Sequence, residues 1–173
     1  MNKLKSLRIF LTDRCTFNCD YCCNKLPEVQ AKIQLKTEKE IAEMIESKVY
    51  TDVCLTGGEP MYMPKEVGYF NAVAKRAWKR VFLYTDGIAL SKGILKQLKL
   101  DGINIGVHRD YQIRMILESI PNILTYKNIR FCVEDVNRYD FARNIPDKYI
   151  KEWVRDDCFR HFETEDFVKL IDY

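Results

Sequence analysis

The sequence predicts an α/β protein, a partial (β/α)5-6 TIM-like barrel with parallel strands. Short apolar runs of strand character alternate with segments whose apolar residues recur at helical spacing. Strands that alternate with helices in this way pair in parallel, and the helices cross over between them. The chain has 173 residues, which accommodates five or six β/α units, whereas a complete barrel of eight needs at least about 200 residues.

Five apolar runs are predicted strands, and a sixth run near the C-terminus is a further candidate. The five runs are residues 7–11, 53–56, 80–84, 102–107 and 129–133, and the sixth is 149–154. Residues 27–36 are predicted to be a polar connection. A last helix is predicted to be capped by Thr164 and to carry Phe167, Leu170 and Ile171 on its apolar face.

The helices between the strands are predicted from their end signals. Thr37 and Glu40 have the spacing of a capping box, in which the hydroxyl and the carboxylate each cap a backbone amide. Pro64 suits the first turn of the second helix. Ser91 caps the third helix, and Pro121 ends the fourth.

The composition is that of a globular chain. Apolar residues make up 47% and charged residues 31%, and the net charge of +3 gives no strong nucleic-acid signal. No apolar run is long enough to span a membrane, and the N-terminus lacks the apolar core of a secretion signal. Seven cysteines, an odd number, then indicate reduced thiols and a cytoplasmic protein. We expect one domain, residues 1–173, with a core at about 7–134.

Three cysteines follow the first predicted strand at the spacing C-x3-C-x2-C. They are Cys15, Cys19 and Cys22. Three thiolates on one short loop can hold three corners of a cubane iron–sulfur cluster. A fourth ligand would close the cluster, so a set of three leaves one iron open to bind another molecule.

Three more stretches of unusual composition each follow a predicted strand. They are Gly57-Gly58-Glu59-Pro60, Thr85-Asp86-Gly87, and His108 with its neighbours. Because the carboxyl ends of parallel strands meet at one edge of a sheet, where the chemistry of such folds gathers, we expect these stretches to lie beside the cysteine loop.

The cysteine spacing, with Tyr21 before the last cysteine, resembles the signature of the radical S-adenosylmethionine (radical SAM) superfamily. Residues 57–60 resemble its GGE motif, and residues 85–87 resemble its T-N-G turn, with Asp in place of Asn. The resemblance covers the chain from about residue 7 to residue 133. Residues 7–15 are also similar to the opening of the molybdenum-cofactor biosynthesis cyclases, but this chain is much shorter and has no second cysteine triad near its end.

The resemblance implies a single-cluster radical SAM enzyme of unusually short length. Cys15, Cys19 and Cys22 would hold a 4Fe-4S cluster whose open iron binds S-adenosylmethionine. Reductive cleavage would give a 5′-deoxyadenosyl radical, which takes a hydrogen atom from the substrate. We expect the substrate to be a small molecule or a nucleotide-like compound, and the electron donor to be a flavodoxin or ferredoxin.

The resemblance also implies a set of residues that bind S-adenosylmethionine. They are Tyr21, Gly57, Gly58, Glu59, Pro60, Thr85, Asp86, Asn104 and His108. The glycines let the backbone approach the ligand, and their carbonyls with the Glu59 carboxylate would accept from the methionine ammonium. Tyr21 would pack beside the adenine. Asp86, or a polar group near the end of the fourth strand, would bind the ribose hydroxyls.

His108 and Cys158 are the candidate catalytic residues. His108 lies on the predicted active rim, where it could bind a ligand or transfer a proton, and a purely structural histidine is the alternative. The Cys158 thiol could donate a hydrogen atom to a product radical, or it could be an ordinary packing residue. The segment 135–173 is expected to cover the substrate and to set specificity.

Three other interpretations stay open from the residues. The chain could be an activating enzyme that installs a glycyl radical on a partner protein. It could instead be a non-catalytic module that binds an iron–sulfur cluster or zinc, although zinc sites usually pair two short cysteine knuckles. Cys23 lies next to Cys22 and could replace it as a ligand, although the superfamily spacing favours Cys22.

Overall fold

One parallel sheet, of eight strands in the residues that the structure describes, organises the protein. The computed structural model describes residues 5–20, 22–126, 128–133, 145–152 and 164–171. The strand order is β2-β8-β1-β3-β4-β5-β6-β7, and every neighbouring pair is parallel. The strands are β1 (Lys5–Phe10), β2 (Ile33–Lys36), β3 (Tyr50–Thr56), β4 (Arg80–Thr85), β5 (Gly102–Gly106), β6 (Ile129–Val133), β7 (Ile150–Glu152) and β8 (Glu165–Leu170).

Helices connect most of the successive strands. They are α1 (Pro27–Gln30), α2 (Glu38–Glu46), α3 (Pro64–Arg76), α4 (Lys92–Gln97) and α5 (Asp110–Ser119). The capping box predicted at the start of α2 is present, since the Glu40 amide donates to Thr37 Oγ1 at 3.3 Å and the Thr37 amide donates to Glu40 Oε2 at 2.8 Å. The Ser91 hydroxyl caps α4, as predicted, by accepting from the Ile94 amide at 3.3 Å.

The core lies between the helices and one face of the sheet. Alternate strand residues such as Leu7, Ile9 and Leu83 are fully buried there against α2 and α3 side chains such as Ile41 and Phe70. Side chains on alternate positions of a strand point to opposite faces. The second face therefore carries the intervening residues, among them Arg8, Cys54, Tyr84 and Asn104.

The parallel α/β class and the partial barrel are confirmed, and the described part of the sheet has two strands more than the upper prediction. Residues 33–36, predicted as a connection, form the edge strand β2, which pairs with β8. In the described residues β2 and β7 are the two edges of the sheet, so the barrel is open between them.

The prediction of a last helix begun by Thr164 is wrong. Residues Glu165–Leu170 form β8, which lies between β1 and β2. Its apolar residues fit the periods of both a helix and a strand, and pairing with β1 decides between them. The Arg8 guanidinium adds a bidentate bond to Glu165, with Nε–Oε2 at 2.8 Å and Nη2–Oε1 at 3.1 Å. The C-terminal part of the chain thus contributes strands to the central sheet.

Two smaller findings complete the comparison with the sequence. The sixth strand candidate is present as β7, with Tyr149 in the short 3-10 helix before it. Among the described residues, no helix is long and apolar enough to cross a membrane.

Candidate active site

The cysteine loop leaves β1 while still bound to the glycine turn after β3. The Leu11 amide donates to the Thr56 carbonyl at 2.9 Å, which continues the pairing of β1 with β3 by one residue. Beyond the strands, the Gly58 amide donates to the Thr12 carbonyl and the Glu59 amide donates to the Arg14 carbonyl, both at 2.7 Å. The residue just before Cys15 is therefore fixed against the turn, and the two stretches form one unit.

The two glycines of the turn are required by this contact. Gly57 has a φ of +149°, and a Cβ there would lie 2.6 Å from the Thr12 carbonyl oxygen. A Cβ on Gly58 would overlap the Arg14 carbonyl and lie 2.7 Å from the Asp13 carbonyl oxygen. Only glycine combines this backbone conformation and this clearance. The sequence predicts that a ligand approaches the backbone at these glycines, and in the structure the backbone of the cysteine loop approaches it there.

The three cysteines of the signature lie half-buried in this loop. The Cys22 amide donates to the Cys19 carbonyl at 3.3 Å, which turns the loop back on itself. Burial raises the pKa of the Cys22 thiol, and the charges of Cys15 and Cys19 nearby raise it further. The sulfurs are close enough to interact, and an incoming cation would be needed to hold all three as thiolates.

The donor set fits a cubane cluster better than a single ion. Among the described residues, no three His, Cys, Asp or Glu side chains converge tightly enough to hold one metal ion. A structural zinc site needs four ligands that converge on one ion. A cubane cluster binds each cysteine at a different iron, so its three sulfurs surround a larger group.

Glu59 ties the ends of β3 and β4 together from a buried position. Its Oε1 accepts from the Met61 amide at 2.8 Å and the Thr85 hydroxyl at 2.7 Å, and its Oε2 accepts from the Asp86 amide at 2.6 Å. Burial, followed by the charge of Asp86, raises the pKa of Glu59 to about 7. The carboxylate predicted to accept from the methionine ammonium is thus engaged by three donors of its own chain. Pro60 is buried behind it, in the first turn of a 3-10 helix.

Asp86 has an unused hydrogen-bond acceptor at the rim. The residue is buried, and its Oδ1 accepts from the Ile88 amide at 2.9 Å. Its Oδ2 is also buried, with no hydrogen-bond partner in the described part of the chain. A buried acceptor without a donor is costly. The position therefore fits a ligand that donates a hydrogen bond, as a ribose hydroxyl does.

Gln112, which the sequence did not bring out as a site residue, links the ends of two strands, β4 and β5. Its side chain is fully buried, and its Nε2 donates to the carbonyls of Asp86 and Gly106, the latter at 2.6 Å. Its Oε1 accepts from the His108 amide at 2.9 Å. The available signal was a polar residue on the apolar stripe of α5, next to Ile113.

His108 lies against the cysteine loop. Its Nδ1 is 3.4 Å from Cys19 Sγ, and its ring packs on Phe17 with the centroids 5.0 Å apart at 45°. Burial lowers the pKa of the His108 imidazole. The predicted meeting of this histidine with the cysteine loop is therefore present, with a sulfur as the partner.

The remaining predicted residues lie farther from this cluster or outside the described residues. Asn104 lies two positions before the end of β5, in register with Tyr84 and on the second face of the sheet. Tyr21 and Cys158 are outside the residues that the structure describes, as is most of the segment predicted to set specificity.

Comparison with protein families gives one match, to the model described as the radical SAM superfamily, over residues 9–141. That match covers more than half of the chain. The chain belongs to the radical SAM superfamily. Membership confirms the predicted family and enzyme class, and it implies the predicted cofactors, a 4Fe-4S cluster and S-adenosylmethionine.

Several curated relatives of this radical SAM chain are GTP 3′,8-cyclases. The one from Trichodesmium erythraeum is 35% identical over 99 residues, which are 53% of this chain and 30% of the relative. The one from Aquifex aeolicus is 36% identical over 117 residues, or 61% of this chain and 35% of the relative. A 7-carboxy-7-deazaguanine synthase from Clostridium acetobutylicum is 25% identical over 158 residues, or 91% of this chain and 55% of that enzyme.

A solved structure supports the fold over almost the whole chain. Native anSMEcpe with bound AdoMet and Kp18Cys peptide superposes with a TM-score of 0.52 at 14% identity, covering 96% of this chain and 51% of the other. The radical SAM chain thus spans about half of that structure, and about a third of the length of the cyclases that it matches.

Proposed function

We propose that this chain binds a 4Fe-4S cluster through Cys15, Cys19 and Cys22 and cleaves S-adenosylmethionine reductively to act on a small, nucleotide-like substrate. When bound, the cluster would supply one electron to S-adenosylmethionine, which would give methionine and a 5′-deoxyadenosyl radical able to take a hydrogen atom from a substrate C–H bond. A flavodoxin- or ferredoxin-type protein would supply the electron.

One observation carries this proposal. The cysteine loop and the glycine turn are joined by two backbone hydrogen bonds of 2.7 Å, from Gly58 to Thr12 and from Glu59 to Arg14. A group held by the cysteines therefore lies beside the turn. The Glu59 carboxylate of this turn binds the amide of Asp86, whose Oδ2 has no hydrogen-bond partner among the described residues. A scaffold that only stored a metal would need the thiols but not the adjoining turn with its buried acids.

The chain's own residues have three tasks in this proposal. The cysteines hold the cluster, and the half-buried loop limits the access of water to it. Glu59 acts as a positioning residue, because its carboxylate fixes the ends of β3 and β4. Asp86 accepts a hydrogen bond from the ligand, which supplies the partner that its buried Oδ2 lacks among the described residues.

The nucleotide-like substrate is supported by the relatives and by the polar second face of the sheet. The relatives named above are named for GTP and for a 7-deazaguanine. On the second face the Arg8 guanidinium stacks over the Tyr84 ring at 4.5 Å, and Asn104 lies beside Tyr84 in the sheet. Because the Arg8 guanidinium is held by Glu165, Asn104 offers the hydrogen-bonding group on this face that suits a heterocyclic base.

Anaerobic reconstitution tests the proposal. The protein is loaded with iron and sulfide, reduced with dithionite or with a flavodoxin system, and mixed with S-adenosylmethionine. We expect a reducible 4Fe-4S signal in electron paramagnetic resonance and release of 5′-deoxyadenosine, followed by chromatography. A loaded cluster that cleaves no S-adenosylmethionine with either reductant would leave the non-catalytic module as the better interpretation.

Single cysteine variants assign the ligands. Cys19→Ala should lose the cluster, whereas Cys54→Ala, which removes a buried thiol of β3, should keep it. Cys23→Ala should also keep it. Loss of the cluster in Cys23→Ala with retention in Cys22→Ala would reverse the assignment of these two neighbours.

A glycyl-radical activating role is the second outcome that this assay can detect. For that function, S-adenosylmethionine would be cleaved without turnover of nucleosides, and a glycyl radical signal would appear when a partner enzyme is added. Incubation of the reduced, loaded protein with a panel of purine nucleosides and nucleotides should instead give a new purine product. The absence of product across the panel would argue against the nucleotide-like substrate but not against cleavage.

A further inference from the structure

The side chain of His108 contacts Cys19, one of the three cysteines of the signature. His108 Nδ1 lies 3.4 Å from Cys19 Sγ, within the range of a hydrogen bond to sulfur. The contact joins two parts of the chain 89 positions apart. His108 follows β5, whereas Cys19 lies in the middle of the loop after β1.

The direction of this hydrogen bond follows from the chemistry of a ligating cysteine. A cysteine bound to iron is a thiolate, which carries no proton and can only accept. The contact is therefore compatible with a loaded site only when the proton is on Nδ1 and the imidazole donates. The imidazole then contacts the cluster through one of its ligands and not through the open iron.

We propose that His108 is a positioning residue that donates a hydrogen bond from Nδ1 to the Cys19 thiolate and thereby raises the reduction potential of the cluster. The inference rests on the proposed function, because it needs a cluster on Cys15, Cys19 and Cys22. Hydrogen bonds to the sulfurs are among the factors that set the potentials of iron–sulfur clusters. A donor at a thiolate stabilises the additional negative charge of the reduced state, so the cluster accepts its electron more readily.

The surroundings of His108 hold the ring in the orientation that this donation requires. Its backbone amide donates to Gln112 Oε1 at 2.9 Å, and Gln112 is fully buried and also bound to the Gly106 carbonyl. Phe17 packs on the ring from the loop side. Gly106 leaves room for the ring, since a Cβ there would lie 3.1 Å from His108 Nε2. The loop and the strand end thus both fix the imidazole.

Two variants separate donation from packing. In His108→Asn, the amide nitrogen can take the place of Nδ1 as a donor, whereas His108→Leu fills a similar space and cannot donate. Both are loaded anaerobically beside the wild type, and the iron content and the midpoint potential are measured, the latter by a titration followed by electron paramagnetic resonance without S-adenosylmethionine. We expect equal iron content, a more negative midpoint potential in His108→Leu, and a potential near that of the wild type in His108→Asn.

Each other outcome decides the question. Equal potentials in all three proteins, or equal shifts in both variants, would overturn the inference. If His108→Leu holds no cluster, His108→Phe is loaded as well, because it keeps an aromatic ring against Phe17. Loss in both with retention in His108→Asn supports a donor role. Retention in His108→Phe with loss in His108→Leu and His108→Asn would show that the ring is needed for packing, and loss in all three variants would mean that the donating Asn does not replace the imidazole; either result would overturn the inference. A wild type that forms no cluster would instead refute the proposed function.

Discussion

The cysteine loop and the strand ends beneath it differ in how they are held. In the loop, residues 13–26, the cysteines are half-buried, and residues between them, such as Thr16, Asn18 and Asp20, are exposed. Its side-chain anchors are partly or fully exposed, such as the bond from Asn24 Nδ2 to the Gly57 carbonyl at 2.5 Å and the bond between the Thr16 and Tyr62 hydroxyls at 2.8 Å. Beneath it lies the strand-end network, defined as the buried polar side chains Glu59, Thr85, Asp86 and Gln112.

This difference separates what the chain builds for itself from what a ligand must complete. The strand-end network satisfies most of its polar atoms internally and is therefore preformed, apart from Asp86 Oδ2. The loop has three cysteines whose thiolate forms would repel one another until a cluster neutralises their charge. Variants in the network should therefore lower the stability of the fold, and variants in the loop should lower the retention of the cluster.

The largest effect is expected where the two regions meet, at Gly58. In Gly58→Ala the new methyl group would overlap the Arg14 carbonyl. This obstacle is backbone, so it cannot move aside as a flexible side chain could. Overpacking usually costs about 1–3 kcal/mol, and a backbone obstacle lies at the upper end of that range or above it. We expect a loss of at least about 3 kcal/mol in urea unfolding, together with loss of the cluster.

Gly68→Ala is the matched control for this variant. Gly68 lies in α3, and a Cβ there would meet nothing within 4 Å. Alanine should stabilise the helix by about 0.5–1 kcal/mol and leave the iron content unchanged. If Gly58→Ala unfolded no more easily than Gly68→Ala and still held a cluster, the loop and the glycine turn would not be one unit.

The second effect concerns the network alone and is seen as a pH dependence. The pKa of Glu59 in the folded chain, about 7, lies above its ordinary value of 4.5, so folding favours the protonated acid. Its contribution to stability is complete below about pH 4.5 and is lost as the pH rises through 7. In Glu59→Gln the side chain does not titrate. Its amide nitrogen would face the Asp86 amide, which is also a donor, and this mismatch would lower the free energy of unfolding by about 1–3 kcal/mol.

Urea unfolding of the wild type and Glu59→Gln at intervals from pH 5 to pH 8 measures this effect. We expect the wild type to be the more stable at pH 5, and the difference to narrow by up to about 3 kcal/mol towards pH 8. A difference that widens with pH would mean that the carboxylate is held in its charged form by its three donors, and that it is not a protonated acid in the folded chain.

The motifs could be predicted from the sequence because they depend on local chemistry. Cys15, Cys19 and Cys22 lie on one short loop whatever the rest of the chain does, and a turn such as Gly57-Gly58 marks the end of a strand by composition. The parallel arrangement then places both stretches at one edge of the sheet. A feature can be predicted from the sequence when all the residues that define it lie in one short segment.

The remaining features depend on partners that are distant in the sequence. The sequence predicts a helix over residues 165–170 because their apolar period is ambiguous, and only pairing with the edge of β1 makes them a strand. Two of the three donors to Glu59, Thr85 and Asp86, belong to the next strand end, so its carboxylate faces the chain's own donors. The contact of His108 with Cys19 likewise arises only when β1 and β5 are part of one sheet.

The smallest effect is expected from Asn24→Ala, which removes a side-chain anchor of the loop and leaves the network intact. Loss of the hydrogen bond from Asn24 to the Gly57 carbonyl should lower the free energy of local opening of the loop by about 1 kcal/mol. Global unfolding of the chain should be little affected. Amide hydrogen exchange in residues 13–26 should become about fivefold faster, the equivalent of that energy, while the melting temperature stays close to that of the wild type. Asn122→Ala, at a position whose side chain makes no capping bond to its 3-10 helix, should change neither quantity. If Asn24→Ala lowers the melting temperature as much as Glu59→Gln does, the loop belongs to the same cooperative unit as the strand ends. In that case the cysteine loop is rigid and would have to receive its cluster without opening.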